Sequence, residues 1–153
     1  MNVEVVNQKP EIAAAIKVTA IGMDKMVEEM EAGYSKLMGY IAQQEKQITG
    51  APYCCYSNCS EDYAQFDMEF GMPVSEAVPA QGEIFMSQTY EGKAIAVTHK
   101  GAYKDLEAAY GVLMDYAKEN SLELTGVYYD YYINNPADTP ESELLTQILF
   151  PIK

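Results

Sequence analysis

The chain has 153 residues, 48% of them hydrophobic, which is enough for one buried core and too few for two independent domains. Ten Lys and Arg against 23 Asp and Glu give a formal charge of −13, which argues against nucleic acid or an anionic membrane surface as a partner. A charged ligand would be a cation. Because the sequence has neither a signal peptide pattern nor an apolar run of about 18 residues, we expect a cytoplasmic protein.

Hydrophobic patterning predicts a strand, a helix and two strands in the first half of the chain. A Val-rich strand is interrupted at Pro10, after which a β-compatible run resumes. Asp24 is the predicted cap of an amphipathic helix that ends near Gln47, before Gly50. The predicted ranges are strands 2–8 and 11–20, helix 24–47, and strands 52–58 and 64–71.

The second half repeats that order, with Glu91-Gly92 predicted to join its first two strands as a hairpin. Residues 75–82 contain Pro79 and Gly82 and are the predicted linker between the halves. The predicted ranges are strands 83–90 and 93–99, a helix over 103–117, strands 126–134 and 144–152, and a long loop over 134–143.

The two halves match each other in sequence without a gap between residues 32–58 and 108–134. Tyr34 aligns with Tyr110 and Gly50 with Gly126, as part of ten identical pairs at one fixed offset. With short insertions, Ala15–Thr19 aligns with Ala94–Thr98, and Glu69–Val74 aligns with Gln147–Ile152. The sequence therefore predicts a duplicated β-α-β-β unit, with repeat one over about 1–74 and repeat two over about 83–153 of a single domain. We expect the functional site where the copies face each other.

Three cysteines lie within six residues, at Cys54, Cys55 and Cys59. An odd number in so short a segment makes a poor disulfide framework. Adjacent strand residues point to opposite faces, and no spaced His or second Cys pair completes a tetrahedral site. We therefore interpret these residues as small buried hydrophobes and predict neither a metal site nor a cofactor.

Thirteen tyrosines against four phenylalanines are an unusual way to fill a core, because each buried phenol needs a hydrogen-bond partner. Tyrosines at a cavity wall can meet that need with water or ligand. Alternation in the strand puts Tyr129 and Tyr131 on one face and Tyr128, Asp130 and Tyr132 on the other. The predicted lining of a largely apolar cavity is Tyr34, Tyr53, Tyr110, Met114 and Tyr129. A solvent-facing, tyrosine-rich strand remains the alternative.

Glu69 is the candidate carboxylate of this cavity, either as an anchor for a cation or as a general base. A solvated strand glutamate is the competing interpretation. The residue that aligns with Glu69 in the second half is Gln147, an amide that cannot act as a base. His99, the single histidine, has no serine or cysteine in a recognisable nucleophile motif near it, so it is a weak catalytic candidate.

Four segments of the chain form a pattern whose order and spacing are fairly specific and which spans nearly the whole chain. The segments are Asp67–Val74, His99–Tyr103 with Leu106, Tyr132–Pro136, and Glu143–Gln147 running to Phe150–Ile152. In these segments the chain resembles the GyrI-like, or bacterial effector-binding, family of ligand-binding domains found in AraC- and MerR-type multidrug regulators.

The resemblance implies an α+β domain of pseudo-twofold symmetry, in which a curved antiparallel sheet and two helices surround a central pocket. Family members sense ligands for transcription regulators or bind small molecules alone, some resemble hydrolases, and one group binds DNA gyrase. The family commonly has an acidic residue where this chain has Gln147, so that position joins the predicted ligand-binding set with Glu69.

We expect a small-molecule binding protein for aromatic, lipophilic or cationic compounds, acting as a sensor or sequestering module. No segment resembles a DNA-binding helix-turn-helix, so direct contact with nucleic acid is not expected and a regulatory role would need a protein partner. One alternative is a hydrolase that uses Glu69 as base, with Tyr129 or Tyr132 polarising the substrate. The other is a gyrase-inhibitor-like interaction protein.

Overall fold

A computed structural model describes residues 2–62 and 64–153 of the chain. Within these residues the α+β class is confirmed, with antiparallel strands and two long helices. None of the described helices is long and apolar enough to cross a membrane. The elements are β1 (Glu4–Gln8), β2 (Ile12–Gly22), α1 (Met23–Gln43), β3 (Tyr53–Ser57), β4 (Gln65–Pro73), β5 (Phe85–Gln88), β6 (Gly92–Lys100), α2 (Leu106–Glu119), β7 (Tyr128–Tyr132) and β8 (Leu145–Pro151).

The chain divides into two compact units of the same construction. Unit one, Lys9–Tyr90, has the strand order β3-β4-β2-β5 with α1 packed on β2 and β4. Unit two comprises the N-terminal segment ending at Gln8 together with Glu91–Lys153, and has the order β1-β6-β8-β7 with α2 packed on β6 and β8. Each unit is therefore the predicted β-α-β-β motif with one additional edge strand.

The predicted hairpin at Glu91-Gly92 is wrong. β5 pairs with β2 in unit one, whereas β6 pairs with β1 and β8 in unit two. A turn dipeptide marks where the chain bends, but the partner of the next strand is chosen by long-range packing. Each unit consequently carries an edge strand that the predicted repeat boundaries would assign to the other half.

Backbone hydrogen bonds confirm the internal duplication. The Thr49 amide donates to the Pro73 carbonyl over 3.0 Å, and the Thr125 amide donates to the Pro151 carbonyl over 3.2 Å. The isolated bridges between Ile48 and Val74 and between Leu124 and Ile152 are equivalent in the same way. Tyr34 and Tyr110 lie on α1 and α2, and Gly50 and Gly126 each lie two residues after one of these bridges.

The alignment of β2 with β6 needs one correction. Ala13 of β2 pairs with Pro73, and Ala94 of β6 pairs with Pro151. Because Pro73 and Pro151 are equivalent, Ala94 corresponds to Ala13 and not to Ala15. A β-bulge between Val18 and Ile21 then adds one residue to β2, because three steps along β2 there oppose two steps along β4, from Met68 to Phe66. A shift of two residues keeps every side chain on its face, so hydrophobic alternation could not detect it.

Asp67 holds this bulge. Ala20, at a φ of 51°, donates its amide hydrogen to Asp67 Oδ1 over 2.9 Å. The side-chain amide of Asn58, itself at a φ of 49°, donates to Oδ2 over 2.7 Å. These two hydrogen bonds, with a smaller contribution from the charge of Lys17, hold the pKa of Asp67 below its usual value.

The helix α1 ends earlier than predicted and is not capped by Asp24. Its N-cap is Gly22, which makes no side-chain cap, and Asp24 lies in the first turn, where a carboxylate suits the positive end of the helix dipole. At the other end Glu45 adopts a φ of 58° and the Lys46 amide donates to the Ile41 carbonyl over 3.1 Å. This Schellman-type closure ends the helix before Gln47.

Each helix packs on its sheet through a matched pair of side chains. In unit one Gly33 lies against the ring of Phe70, and a Cβ at position 33 would come within 2.1 Å of that ring. The equivalent pair in unit two is Ala109 and Ile148, both fully buried. The unit with the larger strand residue, Phe70, has the smaller helix residue, Gly33. The two pairs therefore fill the space between helix and strands in both units.

We predict that Gly33→Ala lowers the free energy of unfolding by roughly 1–3 kcal/mol, because the added methyl group displaces the buried ring. Phe70→Ile alone also destabilises, by leaving a cavity. Together they recreate the Ala109–Ile148 pair, and the double variant should lose less than the sum of the single losses. The measurement is urea unfolding of the four proteins.

Gly39→Ala is the matched control for this cycle. A Cβ at this second glycine of α1 meets nothing within 4 Å, so alanine should stabilise by about 1 kcal/mol through helix propensity. Strict additivity of the two core substitutions would contradict the proposed pairing of residues 33 and 70.

We also predict that Asp67→Asn makes stability less dependent on pH at acid pH. Because the folded-state pKa is lowered, the carboxylate contributes fully above its unfolded pKa of about 4, and this contribution is lost as pH falls through the folded-state pKa. The urea midpoint of the wild type should therefore fall more between pH 5 and pH 2 than that of the variant. Asp115→Asn, at an exposed position of α2, is the control, and an identical slope in wild type and Asp67→Asn would refute the prediction.

Candidate functional site

Strand alternation places the predicted site residues on different faces of the sheets. Phe70 contacts α1, and Ile148 and Phe150 pack against α2, so these residues mark the helix-facing side of each unit. Tyr53 and Glu69 in unit one and Tyr129 and Gln147 in unit two lie on the opposite face. Tyr34, Tyr110 and Met114 belong to the helices.

In unit one the structure joins three predicted residues in a hydrogen-bonded chain. The Tyr34 hydroxyl donates to the backbone carbonyl of Tyr53 over 2.5 Å, and the Tyr34 ring lies 5.1 Å from that of Phe70. The hydroxyl of Tyr53, a fully buried residue, donates to Glu69 Oε2 over 2.8 Å. Tyr34 thus fixes the backbone from which Tyr53 reaches the carboxylate.

Ser87 is a further member of this cluster that the sequence did not reveal. Its hydroxyl donates to the same Glu69 Oε2 over 2.9 Å. Ser87 lies on β5, which pairs with β2, so its position depends on a strand pairing that local patterns do not specify. We call Tyr53, Glu69 and Ser87 the Glu69 cluster. Both hydroxyl donors reach Oε2 and neither reaches Oε1, so the cluster orients the carboxylate and leaves one oxygen for another partner.

In unit two the corresponding tyrosine contacts a different acid. The Tyr110 hydroxyl donates to Asp130 Oδ1 over 2.5 Å, and Asp130 is only 2% exposed. The Tyr110 ring stacks on Phe150 at 5.7 Å, and Met114 packs against the same core on the helix-facing side. Alternation in the sequence placed Asp130 opposite Tyr129 but gave no sign of its burial.

Tyr129 and Gln147 lie on the other face of unit two. The rings of Tyr129 and Tyr131 stack at 5.9 Å, and Tyr131 pairs with Gln147 across β7 and β8. The structure therefore does not bring these two residues together with Tyr110 and Met114. That all seven predicted residues line one ligand pocket stays a prediction.

The histidine and the three cysteines are at least partly buried, and the histidine contacts the protein backbone. His99 is 8% exposed, and its Nε2 lies 3.1 Å from the Ala102 carbonyl, to which it donates. Cys54, Cys55 and Cys59 form no disulfide, and burial raises the pKa of Cys59. Among residues 2–62 and 64–153, no group of three His, Cys, Asp or Glu side chains could hold a metal ion.

Two open clefts lie within unit two and contain none of the predicted site residues. The first, of about 520 Å³, is lined by Asn2, Val3, Val112, Asp115, Tyr116 and Glu119. The second, of about 380 Å³, lies between the turn that precedes α2 and the long loop, and burial there raises the pKa of Tyr103. Neither cleft has a carboxylate fixed by neighbouring hydroxyl groups, so we place the candidate site at the Glu69 cluster.

Sequence comparison identifies the family. The model of the GyrI-like small molecule binding domain matches residues 1–153, and the chain belongs to this family. Its class is thus that of small-molecule binding domains, as the four sequence segments had suggested. No curated protein matches the chain in sequence.

Several solved structures share the fold. The crystal structure of the EcmrR C-terminal domain has a TM-score of 0.79 and 22% identity, and covers 99% of this chain and 97% of that one. In an EcmrR–DNA complex the TM-score is 0.82 at 20% identity, and the chain covers 57% of the longer EcmrR chain. The structure of SAV2435 bound to tetraphenylphosphonium has a TM-score of 0.66 and 15% identity, and the match covers 100% of this chain and 94% of SAV2435. The crystal structure of a hydrolase from Listeria innocua has a TM-score of 0.62 and 10% identity, and the match covers 99% of this chain and 91% of the hydrolase. Identities this low establish the fold alone.

The Glu69 cluster generates a prediction about stability. Tyr53→Phe removes a hydrogen bond to a carboxylate and should lower the free energy of unfolding by about 1.5–3 kcal/mol. In a Glu69→Gln background the same substitution should cost less, because the charge that strengthens the bond is gone. Urea unfolding of the four proteins measures the coupling, with Tyr116→Phe on α2 as the control tyrosine. Equal losses in both backgrounds would mean that Tyr53 does not hold the carboxylate.

Proposed function

We propose that this chain binds aromatic or lipophilic cations and acts as a sensor or sequestering module, with the Glu69 carboxylate as the anchor for the positive charge. The observation that carries the proposal is the Glu69 cluster, in which two hydroxyl donors fix one carboxylate oxygen and leave the other for a ligand. A carboxylate oriented in advance loses less conformational entropy when a cation binds.

The ligand class is supported by an aromatic side chain and by one relative. Phe85 of β5 pairs with Ala15 of β2, which pairs with Gly71 of β4, so this partly exposed ring lies on the face that carries Glu69. Aromatic faces with a carboxylate attract lipophilic cations. The SAV2435 structure, which shares the fold, is described as bound to tetraphenylphosphonium, a cation of this class. The formal charge of −13 adds a long-range attraction for cations.

The test is titration calorimetry with tetraphenylphosphonium on wild type and Glu69→Gln. A charge-assisted contact in a partly dry site contributes roughly 1–3 kcal/mol, so the variant should bind about tenfold or more weakly. Glu83→Gln, which removes an exposed carboxylate that pairs with Lys36, is the control for net charge.

An unchanged affinity in Glu69→Gln would refute the proposed anchor. Equal weakening in Glu69→Gln and Glu83→Gln would contradict it as well, since the effect would then come from the charge of the whole protein.

Hydrolysis is the second candidate function, and one contact favours it. Ser87 donates its hydroxyl hydrogen to Glu69, the geometry in which a carboxylate assists a hydroxyl nucleophile. One solved structure of the same fold is described as a hydrolase. In this case Glu69→Gln would leave ligand affinity largely intact and abolish turnover, because an amide takes no proton at neutral pH. A hydrolysis assay on the calorimetry samples separates the two functions.

A further inference from the structure

A lysine lies beside the proposed anchor. Lys17 of β2 is the direct cross-strand partner of Glu69 on β4. In an antiparallel pair, opposite residues point to the same face with their Cβ atoms about 4.5–5.5 Å apart. The face of unit one that turns away from α1 therefore carries a lysine side chain and a carboxylate side chain from directly opposite positions.

The ammonium group of Lys17 forms no close ion pair with another acid, although its charge contributes to the lowered pKa of Asp67. Lys17 is exposed and takes part in none of the ion pairs within 4.0 Å found among the described residues. Asp67, the other carboxylate on the same face of β4, already uses both oxygens, for Ala20 and Asn58. Glu69 likewise has its Oε2 occupied by two hydroxyl donors.

A ligand that carries only a positive charge gains little affinity from Glu69 and Lys17 together. Lys17 repels a cation that approaches Glu69, and the repulsion opposes part of the attraction from the carboxylate. A ligand that carries both charges gains from both side chains, with its cation on Glu69 and its anion on Lys17. Unit two has no such pair, because the equivalent cross-strand residues are Thr98 and Gln147.

We infer that the Glu69 cluster recognises dipolar aromatic ligands, zwitterions above all, and that Lys17 is the specificity-determining residue that holds the anionic group. This inference rests on the proposed function, since it takes Glu69 as the anchor for the cationic group. Lys17 sets the preference between zwitterion and cation, while Glu69 supplies affinity for both.

Two dyes that differ in a single charge test the inference. Rhodamine B is a zwitterion at pH 7.5, and its ethyl ester is a cation of the same shape. Their affinities are measured by fluorescence anisotropy for wild type, Lys17→Met, Lys17→Arg and Glu69→Gln. Lys25→Met, at an exposed lysine of α1, is the control for net charge, and urea midpoints check that each variant is folded.

We expect Lys17→Met to weaken binding of rhodamine B by about fivefold or more and to tighten binding of the ester, because one substitution removes an attraction and a repulsion. Lys17→Arg should keep the wild-type preference, and Lys25→Met should leave it unchanged. Equal changes for both dyes in Lys17→Met, or no change, would overturn the inference.

The same experiment distinguishes a wrong role for Lys17 from a wrong role for Glu69, which is the proposed function. Weaker binding of both dyes by Glu69→Gln supports the anchor whatever the result at Lys17. If Glu69→Gln affects neither dye, or if wild type binds neither dye, the proposed function is refuted and the inference about Lys17 is refuted with it.

Discussion

The strands of each unit pack one face against one helix, and this constraint determines which side chains can reach the candidate site. Side chains alternate along a strand, so packing Phe70 on α1 turns its neighbour Glu69 to the opposite face. In unit two, packing Ile148 on α2 turns Gln147 away in the same manner. The apolar core therefore determines which polar residues can share a site, and a one-residue slip of β4 would bury the carboxylate against the helix.

The two units use the same framework for different chemistry. Tyr34 and Tyr110 are equivalent, yet one donates to a backbone carbonyl and the other to the buried Asp130. On the opposite faces, Glu69 has two hydroxyl donors, whereas its equivalent Gln147 is a neutral amide. Duplication preserves the tyrosine on each helix and the strand that it contacts, while the acid has changed position between the copies.

The sequence predicts well those features that depend on periodicity. The gapless match between the halves predicts the β-α-β-β order, the equivalent positions of Tyr34 and Tyr110 on their helices, and the equivalent turns near Gly50 and Gly126. Alternation correctly separates Tyr129 from Asp130. These results need only local geometry, because a two-residue or 3.6-residue period is visible within one element.

Features that depend on distant contacts could not be predicted. The exchange of the edge strands β1 and β5 depends on which open strand edge each one meets, and a turn at Glu91-Gly92 does not encode that choice. Ser87 reaches Glu69 only because β5 pairs with β2, and the burial of Asp130 depends on its contact with Tyr110. The two-residue offset in the alignment of β2 with β6 was hidden because a shift of two residues preserves alternation.

The central claim is that Glu69 anchors the ligand through the oxygen that Tyr53 and Ser87 leave open. A crystal structure of the protein with tetraphenylphosphonium tests it most directly. We expect the phosphonium group beside Glu69 Oε1, with a phenyl ring on an aromatic side chain of the same face and with Oε2 still bound by both hydroxyl groups. A ligand seated in one of the clefts of unit two, with no contact to Glu69, would show that Glu69 is not the anchor.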